Sequence, residues 1–134
     1  MTKTDYETLA AFRYELRKFL NFSERIAEDQ GLAAQQYLAL LAIEGFPGRN
    51  IVTVGELAER LRIAPHSAVG LIDRLEEARL VKRQPSAEDR RRVTVKLTQH
   101  GRTKLERLAM AHHTELQTAG PLLTGLLKKV TRKS

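Results

Sequence analysis

The segment from Ala64 to Leu75 has the sequence APHSAVGLIDRL, and it predicts a short helix with two different faces. Its apolar residues recur at intervals of three and four, the spacing that places side chains on one side of an α-helix. They are Ala68, Leu71, Ile72 and Leu75. The other side carries His66, Ser67, Gly70 and Arg74, and nothing in the pattern requires their burial. The segment should therefore pack on a core with one face and present the other outward.

A second amphipathic segment precedes this helix. Thr53 and Glu56 stand at the spacing of a capping box and predict a short helix over residues 53–61. Residues 63–64 form the turn between the two helices. Pro65 suits the first position of the second helix, because its missing N–H would have no partner there anyway.

The segment after residue 79 predicts a hairpin with a charged tip. Residues 80–83 form its first strand, and Pro85 ends that strand. Residues 93–97 alternate between apolar and polar, so Val93, Val95 and Leu97 are predicted to face inward. The tip, residues 88–92, reads EDRRR. Helix, turn, helix and basic hairpin form the layout of a winged helix-turn-helix, which binds double-stranded DNA.

Two helices are predicted before this unit. Thr4 and Glu7 form a capping box, so the first helix should start at Thr4 and end near Gly31. The second covers residues 32–43. Its predicted inward residues are Tyr37, Leu38, Leu41 and Ala42.

Two further helices are predicted after it. Thr98 caps the first of them, which should end near Thr118 because Gly120 and Pro121 break it. The last covers residues 122–130 and ends in basic residues. These are Lys128, Lys129, Arg132 and Lys133.

The first helix is apolar over more of its circumference than one buried stripe needs, through Phe12, Leu16, Phe19 and Phe22. Either the core face is wide, or the helix also contacts a second subunit. We favour the subunit contact. The leucines of the last helix likewise need a partner.

Composition narrows the class of protein. A chain of 134 residues suits one domain with a real core, and a net charge of +7 favours polyanions: nucleic acid or an anionic membrane surface. Between Arg60 and Lys96, ten Lys or Arg stand against five Asp or Glu. The absence of cysteine excludes disulfides and thiolate metal sites. No apolar run reaches the roughly 20 residues of a membrane span, and no signal peptide is visible, so we expect a cytoplasmic protein without membrane contact.

Several short motifs occur in a fixed order along the chain. They are Glu56-Leu57-Ala58-x-x-Leu61, Leu71-Ile72-Asp73-Arg74-Leu75-Glu76, Leu80-Val81-x-Arg83, Asp89-Arg90-Arg91 and Val95-x-Leu97-Thr98-x-x-Gly101-Arg102. Each is weak alone, but in this order and spacing the sequence resembles the MarR family of bacterial transcriptional regulators.

The resemblance implies a mainly α fold with a small β-hairpin wing (α+β), as a single domain over residues 1–134. A winged helix lobe would cover about residues 33–98, and dimerisation helices about residues 4–30 and 99–131. The implied homodimer reads a pseudo-palindromic operator in double-stranded DNA. Such regulators usually repress, and many release DNA when a small aromatic or phenolic effector or an oxidant acts.

Three features depart from the family pattern. Gly70 stands where many relatives carry a larger, often basic residue, so base reading there must be absent or replaced by close backbone approach. Ala33 stands where a capping Thr is common, which costs that helix start about 1 kcal/mol. The thiol sensor found in some relatives has no counterpart, since there is no cysteine.

A recognition helix reaches base edges from its N-terminal turns, which sets the candidate DNA-binding residues. They are Pro65, His66, Ser67, Val69 and Gly70. His66 and Ser67 can hydrogen-bond bases, and Val69 can touch a thymine methyl group. Arg74 has two interpretations that the sequence leaves open: a phosphate contact, or a pair with Asp73 or Glu77.

The hairpin tip supplies the other candidates. By the resemblance, the Asp89 carboxylate holds the Arg91 guanidinium, which enters a narrow minor groove in the DNA. Arg90 and Arg92 would then contact phosphates. The alternative is an ordinary solvated loop.

An effector pocket, if the protein has one, should lie where the second helix and the dimer helices meet the lobe. Its candidates are Tyr14, Phe19, Phe22 and Tyr37, with core packing as the more common role. His112 and His113 point about 100° apart on a helix and cannot chelate one ion cleanly, so we expect surface or interface histidines and no metal. We recognise no catalytic motif and no cofactor motif, and we expect no enzyme activity.

Two other functions remain open at this stage. A winged helix can serve as a protein-interaction module whose basic face docks an acidic partner. It can also bind DNA without regard to sequence, as an architectural protein. We favour the regulator, because consecutive arginines beside an aspartate suit a groove better than a flat protein surface.

Overall fold

The computed structural model describes residues 1–132, so the predicted basic residue Lys133 lies outside the described residues. Within this range the chain forms five helices and three strands. In order they are α1 (Lys3–Asp29), α2 (Ala34–Glu44), β1 (Ile51–Thr53), α3 (Val54–Leu61), α4 (Pro65–Glu77), β2 (Val81–Pro85), β3 (Val93–Leu97) and α5 (Gln99–Thr131). The predicted fold class is confirmed. None of these helices is long and apolar enough to cross a membrane.

The start of α1 differs from the prediction. The hydroxyl of Thr2 accepts the Asp5 N–H at 3.2 Å, and the Asp5 carboxylate accepts the Thr2 N–H at 2.8 Å. The capping box is therefore Thr2–Asp5, and the predicted box at Thr4 and Glu7 is wrong. Both pairs have the required spacing, and the earlier one satisfies the first-turn donors while adding Thr4 to the helix.

The other predicted caps form as expected. Thr53 accepts the Glu56 N–H at 3.1 Å, and Glu56 accepts the Thr53 N–H at 2.9 Å, which confirms the box that opens α3. α2 begins at Ala33 without a side-chain cap, as its sequence requires. Gln36 recovers half of the box by accepting the Ala33 N–H at 2.9 Å.

The core lies between α2, α3, α4 and the sheet. The predicted inner face of α4 is confirmed, since Ala68, Leu71, Ile72 and Leu75 are all buried. The predicted face of α2 is wrong in part. Tyr37 is buried, but Leu38 and Leu41 are 42% and 41% exposed, while Ala39, Leu40 and Ile43 are buried instead. Because α2 contacts every other helix and is apolar on most sides, its periodicity does not single out one face.

The sheet contains a strand that the sequence did not reveal. β1 has three residues and pairs with β3, which gives the antiparallel order β1-β3-β2. β3 is therefore central, and its alternation is not clean. Val93 lies at the strand end and is 44% exposed, contrary to prediction, whereas Thr94 is buried. The Thr94 hydroxyl is satisfied there, because it donates to the Gln84 carbonyl at 3.0 Å.

The last helix is continuous. α5 runs from Gln99 to Thr131 through Pro121, so the predicted break at Gly120-Pro121 and the separate helix over residues 122–130 are wrong. The φ angle of proline is itself helical, and Pro121 removes only one backbone hydrogen bond on an exposed stretch where water reaches the freed carbonyl. Beyond His112 this helix buries no side chain within its own chain.

α5 begins in close contact with the turn between α4 and β2. Gly101 is buried, and a Cβ atom placed on it would lie 2.1 Å from the Leu80 carbonyl oxygen. Real carbon atoms do not approach a carbonyl that closely, so a side chain at this position must displace backbone. The glycine therefore sets how closely the long helix approaches the lobe.

We expect Gly101→Ala to lower the free energy of unfolding by about 2–3 kcal/mol, because overpacking against backbone cannot relax by a rotamer change. Gly125→Ala is the matched control in the same helix, since its Cβ would meet nothing within 4 Å. In that control the free energy of unfolding should instead rise by about 0.5–1 kcal/mol, because alanine has a higher helix propensity than glycine. Chemical denaturation of both variants checks the pair, and a Gly101→Ala protein as stable as wild type would contradict the contact.

Candidate nucleic-acid interface

A tight turn places α4 across α3. Arg62 follows α3 with a left-handed φ of 58°, and the Ile63 N–H donates to the Ala58 carbonyl at 3.0 Å. Pro65 then occupies the first position of α4, as predicted. Ala64 at the N-cap makes no side-chain hydrogen bond, so the positive end of the helix dipole is open to solvent.

The outer face of α4 brings the predicted residues together. Positions 66, 70 and 74 follow one another at intervals of four and form one row on the helix surface. Pro65, His66, Ser67 and Arg74 are exposed, Val69 is 41% exposed, and Gly70 is partly buried. Apart from Arg74, this face is nearly uncharged.

Arg74 lies along the helix. A Cβ at Gly70 would sit 3.6 Å from Nη1 of Arg74, so the guanidinium lies beside the glycine and uses the space that a side chain would fill. In the described chain no carboxylate pairs with Arg74, so the suggested pairs with Asp73 and Glu77 do not form.

The wing tip is built around Asp89. Its carboxylate accepts the backbone N–H of Arg91 at 3.0 Å and lies 3.5 Å from Nε of the same arginine. The Ser86 N–H donates to the Arg92 carbonyl at 2.9 Å and closes the loop. The Arg91 side chain is 94% exposed, and Arg90 and Arg92 are exposed beside it. The tip is thus an ordered turn that presents three guanidinium groups to solvent.

Sequence reasoning placed Arg83 in a motif but gave no role to this arginine, which joins the wing to α4. Arg83 on β2 donates to Glu76 at 2.7 Å and also pairs with Asp73. The hydrogen bond that Arg83 donates to Asp73, and then that to Glu76, raise the pKa of Arg83 above its ordinary value. A signal was present, because Asp73 and Glu76 are one helical turn apart and can face one partner.

The predicted pocket residues divide into two groups. Tyr14 is 63% exposed and stands apart. The other three surround His112: Tyr37 stacks on its ring at 4.7 Å between centroids, and Phe19 and Phe22 meet it edge-on at 5.9 and 5.7 Å. Burial raises the pKa of Tyr37. The pocket role of these residues remains a prediction.

His112 itself is buried, so its expected place on a surface or subunit interface is wrong in this chain. Nδ1 lies 2.6 Å from the Leu108 carbonyl and therefore donates to it, which leaves Nε2 to accept the Ser23 hydroxyl at 2.7 Å. Both ring nitrogens thus have partners, and the ring joins α5 to α1. Within residues 1–132, no three His, Asp or Glu side chains are placed to hold a metal ion.

A groove of 980 Å³ lies between α3, β1 and the base of the wing. Phe46 lines it, with the Arg49 and Arg60 guanidinium groups 4.5 and 5.0 Å from its ring centre. Glu56 pairs with Arg49. Although burial acts to raise its pKa, hydrogen bonds from Thr53 and Arg49 hold the pKa of Glu56 below its ordinary value. None of the predicted recognition-helix residues lines this groove.

These features define a winged helix-turn-helix protein whose lobe is joined to two long helices. Residues 30–92 match the model of the MarR family. The chain is 32% identical over 102 residues to an uncharacterised HTH-type transcriptional regulator, YfiV, of Bacillus subtilis, and this match covers 76% of the chain and 61% of YfiV. Over residues 30–92 the chain matches the MarR family, as its motif order indicated, and the chain spans about three fifths of the length of YfiV.

Solved structures show the same fold. AbsC, a MarR family transcriptional regulator from Streptomyces coelicolor, superposes with a TM-score of 0.76 at 23% identity, covering 98% of this chain and 92% of AbsC. A variant of Staphylococcus aureus MepR, bound to an oligodeoxyribonucleotide, gives a TM-score of 0.70 at 22% identity, with 84% and 80% of the two chains covered. The relatives are transcriptional regulators and not enzymes.

Proposed function

We propose that this protein is a transcriptional regulator that binds a pseudo-palindromic operator in double-stranded DNA as a homodimer. The observation that carries the proposal is that one lobe presents two exposed DNA-reading elements: the outer face of α4 and the arginine tip of the wing. The MepR variant bound to an oligodeoxyribonucleotide has the same fold, which supports this use of the lobe. The regulator would act in the bacterial cytoplasm, where the chromosome lies.

On α4, the base-reading roles fall to the exposed N-terminal turns. His66 and Ser67 would hydrogen-bond base edges or phosphates, and Val69 would contact a thymine methyl group. Pro65 and Gly70 would allow close approach to the major groove. Arg74 has no carboxylate partner in the described chain, which favours the phosphate contact over the ion pair.

On the wing, Arg91 would enter the minor groove. Asp89 holds both the backbone and the guanidinium of Arg91, so less conformational entropy is lost when the side chain binds. A narrow minor groove has an enhanced negative potential that attracts such a cation. Arg90 and Arg92 would contact the flanking phosphates.

The homodimer would form through α1 and α5. Large apolar side chains are exposed along both helices of the single chain, which is unusual unless a partner covers them. They are Tyr6, Leu9, Tyr14, Leu20, Met110, Leu116, Leu122 and Leu127. A second copy would bury these residues and hold two lobes at the spacing of two half-sites.

The direction of control that we propose is repression, with release by a small aromatic or phenolic effector. A dimer that covers an operator would exclude other proteins from the same DNA. The effector would bind where α1, α2 and α5 meet, near Phe19, Phe22 and Tyr37, and Tyr14 would lie outside this cluster. A ligand there would contact the helices that carry both lobes, which couples its binding to DNA affinity.

The function can be tested by selecting duplexes from a random-sequence pool and titrating the enriched duplex against a scrambled one near physiological salt. We expect the enriched duplex to bind about 10³-fold or more tightly than the scrambled one. Equal affinities would favour a sequence-neutral architectural protein. The absence of any DNA binding would favour the protein-interaction module.

We expect Arg91→Ala to weaken operator binding by about 1–3 kcal/mol, roughly 5- to 150-fold, because it removes a groove contact. The melting temperature should not change, since the side chain is 94% exposed. Arg107→Ala, an exposed arginine on α5, is the charge-matched control and should bind like wild type. If both variants lost affinity equally, the effect would come from net charge and not from the wing.

We expect wild-type protein to sediment as a dimer at micromolar concentrations, and the double variant Leu122→Glu with Leu127→Glu to sediment as a monomer. Burying two carboxylates in an apolar contact is strongly unfavourable. The control places glutamates at Gln99 and Thr103, which are exposed near the start of the same helix. A monomeric wild-type protein would rule out the dimer.

A further inference from the structure

Arg83 joins β2 to α4 through three polar contacts. Its Nη1 donates to Oε1 of Glu76 at 2.7 Å, its Nη2 pairs with Asp73, and its backbone N–H donates to Oε2 of Glu76 at 3.2 Å. Asp73 and Glu76 lie three residues apart and so share one side of α4. One planar guanidinium therefore spans two carboxylates on the recognition helix.

Arg83 is a charged residue among apolar neighbours in the sheet. It is directly opposite the buried Val95 on β3 and two residues after the buried Val81, so all three side chains share the core-facing side. An apolar residue here would pack without a fixed direction. Arginine instead makes charge-assisted hydrogen bonds whose geometry is fixed by its flat fork.

These contacts lie where α4 meets β2, the strand that leads to the wing tip. α4 passes into β2 within a few residues, with Arg79 in a left-handed conformation and the Leu80 N–H donating to Leu75 at 2.9 Å. β2 continues for two residues past Arg83, about 7 Å, and the tip loop lies beyond the end of the strand, so a tilt at the base of β2 produces a larger displacement at the tip. Supporting contacts must hold a binding site within about 0.5 Å for it to work well.

We propose that Arg83 is a positioning residue that fixes the angle between the recognition helix and the wing. The inference rests on the proposed DNA-binding function. With the angle fixed, binding of α4 in the major groove delivers Arg91 to the adjacent minor groove as an intramolecular event, at high effective concentration. Without Arg83, the wing would have to be ordered at the moment of binding.

Arg83 acts through this geometry and not by touching DNA. Its side chain is only 28% exposed, and both Nη atoms already bond to carboxylates. Asp73 and Glu76 are 56% and 42% exposed, so removing their partner leaves no buried uncompensated charge. The fold should therefore tolerate Arg83→Met, and Arg83→Lys offers a second variant that keeps the charge but loses the bidentate fork.

The test is a double-mutant cycle on the duplex that wild-type protein enriches from a random pool. We expect Arg83→Met to weaken binding about tenfold in wild-type protein but clearly less in the Arg91→Ala background, where the minor-groove contact is gone and only the phosphate contacts of Arg90 and Arg92 remain to be positioned. In wild-type protein, Arg83→Lys should weaken binding less than Arg83→Met does. Lys82→Met removes the same charge from the opposite face of β2, and any effect of it should be equal in both backgrounds.

Several outcomes would overturn the inference. A full Arg83→Met effect that persists beside Arg91→Ala would assign Arg83 a structural or direct role. A salt dependence reduced by about one phosphate contact would identify direct binding. If no duplex is enriched at all, the proposed function fails as well.

A measurement without DNA tests the angle itself. The chain has no cysteine, so Ser67→Cys and Ala87→Cys provide two specific spin-label sites, one on α4 and one on the wing. Dilution with unlabelled protein isolates the distance within one chain. We expect a narrow distance distribution in the wild-type background and a clearly broader one with Arg83→Met. Equal widths would show that Arg83 does not hold the wing, whatever the DNA data give.

Discussion

The architecture depends on one hydroxyl group, that of Thr98, where the last strand of the wing turns into α5. It donates to the Arg79 carbonyl at 2.6 Å and accepts the Gly101 N–H at 3.0 Å, while the Thr98 N–H donates to the Leu80 carbonyl at 3.0 Å. The end of the sheet, the exit of α4 and the start of the long helix therefore share a single residue. Gly101 makes this possible, because no other residue lets the helix approach the Leu80 carbonyl so closely.

Successive turns of α5 then attach to the other helices by directional contacts. Arg102 pairs with Glu44 at the end of α2 at 3.3 Å, and the Lys104 ammonium donates to the Gln30 carbonyl after α1 at 2.6 Å. About two turns after Lys104, Nε2 of His112 accepts the Ser23 hydroxyl. A shift of α1 against α5 cannot be absorbed by sliding apolar surfaces alone, because it must break or remake these bonds. This is the physical basis on which an effector between the long helices would reach the lobe.

Short-range sequence patterns were sufficient to predict much of this structure. The caps of α3 and α5, the turn at Pro65 and the inner face of α4 follow from spacings of a few residues. One failure is local, since the start of α1 offers two capping boxes and the earlier one forms. The other failures depend on the surroundings of a residue in the folded chain. The exposure of Val93 depends on where β3 lies in the sheet, Pro121 is tolerated because its stretch of helix meets water, and the bridging role of Arg83 exists only once β2 lies beside α4. The pairing of Asp89 with Arg91 was expected only through the family resemblance.

If the protein forms the proposed dimer, the stability of the C-terminal turns of α5 depends on the concentration of the protein in the cell. The helix spans 33 residues, about 50 Å, yet no residue described beyond His112 is more than partly buried by its own chain. In the proposed dimer, a second copy would add to the packing of these turns, so part of their stability would follow mass action. At low copy number this segment would then be more open to fraying and proteases than at high copy number. The cellular level of such a regulator would then set its lifetime as well as its occupancy of DNA.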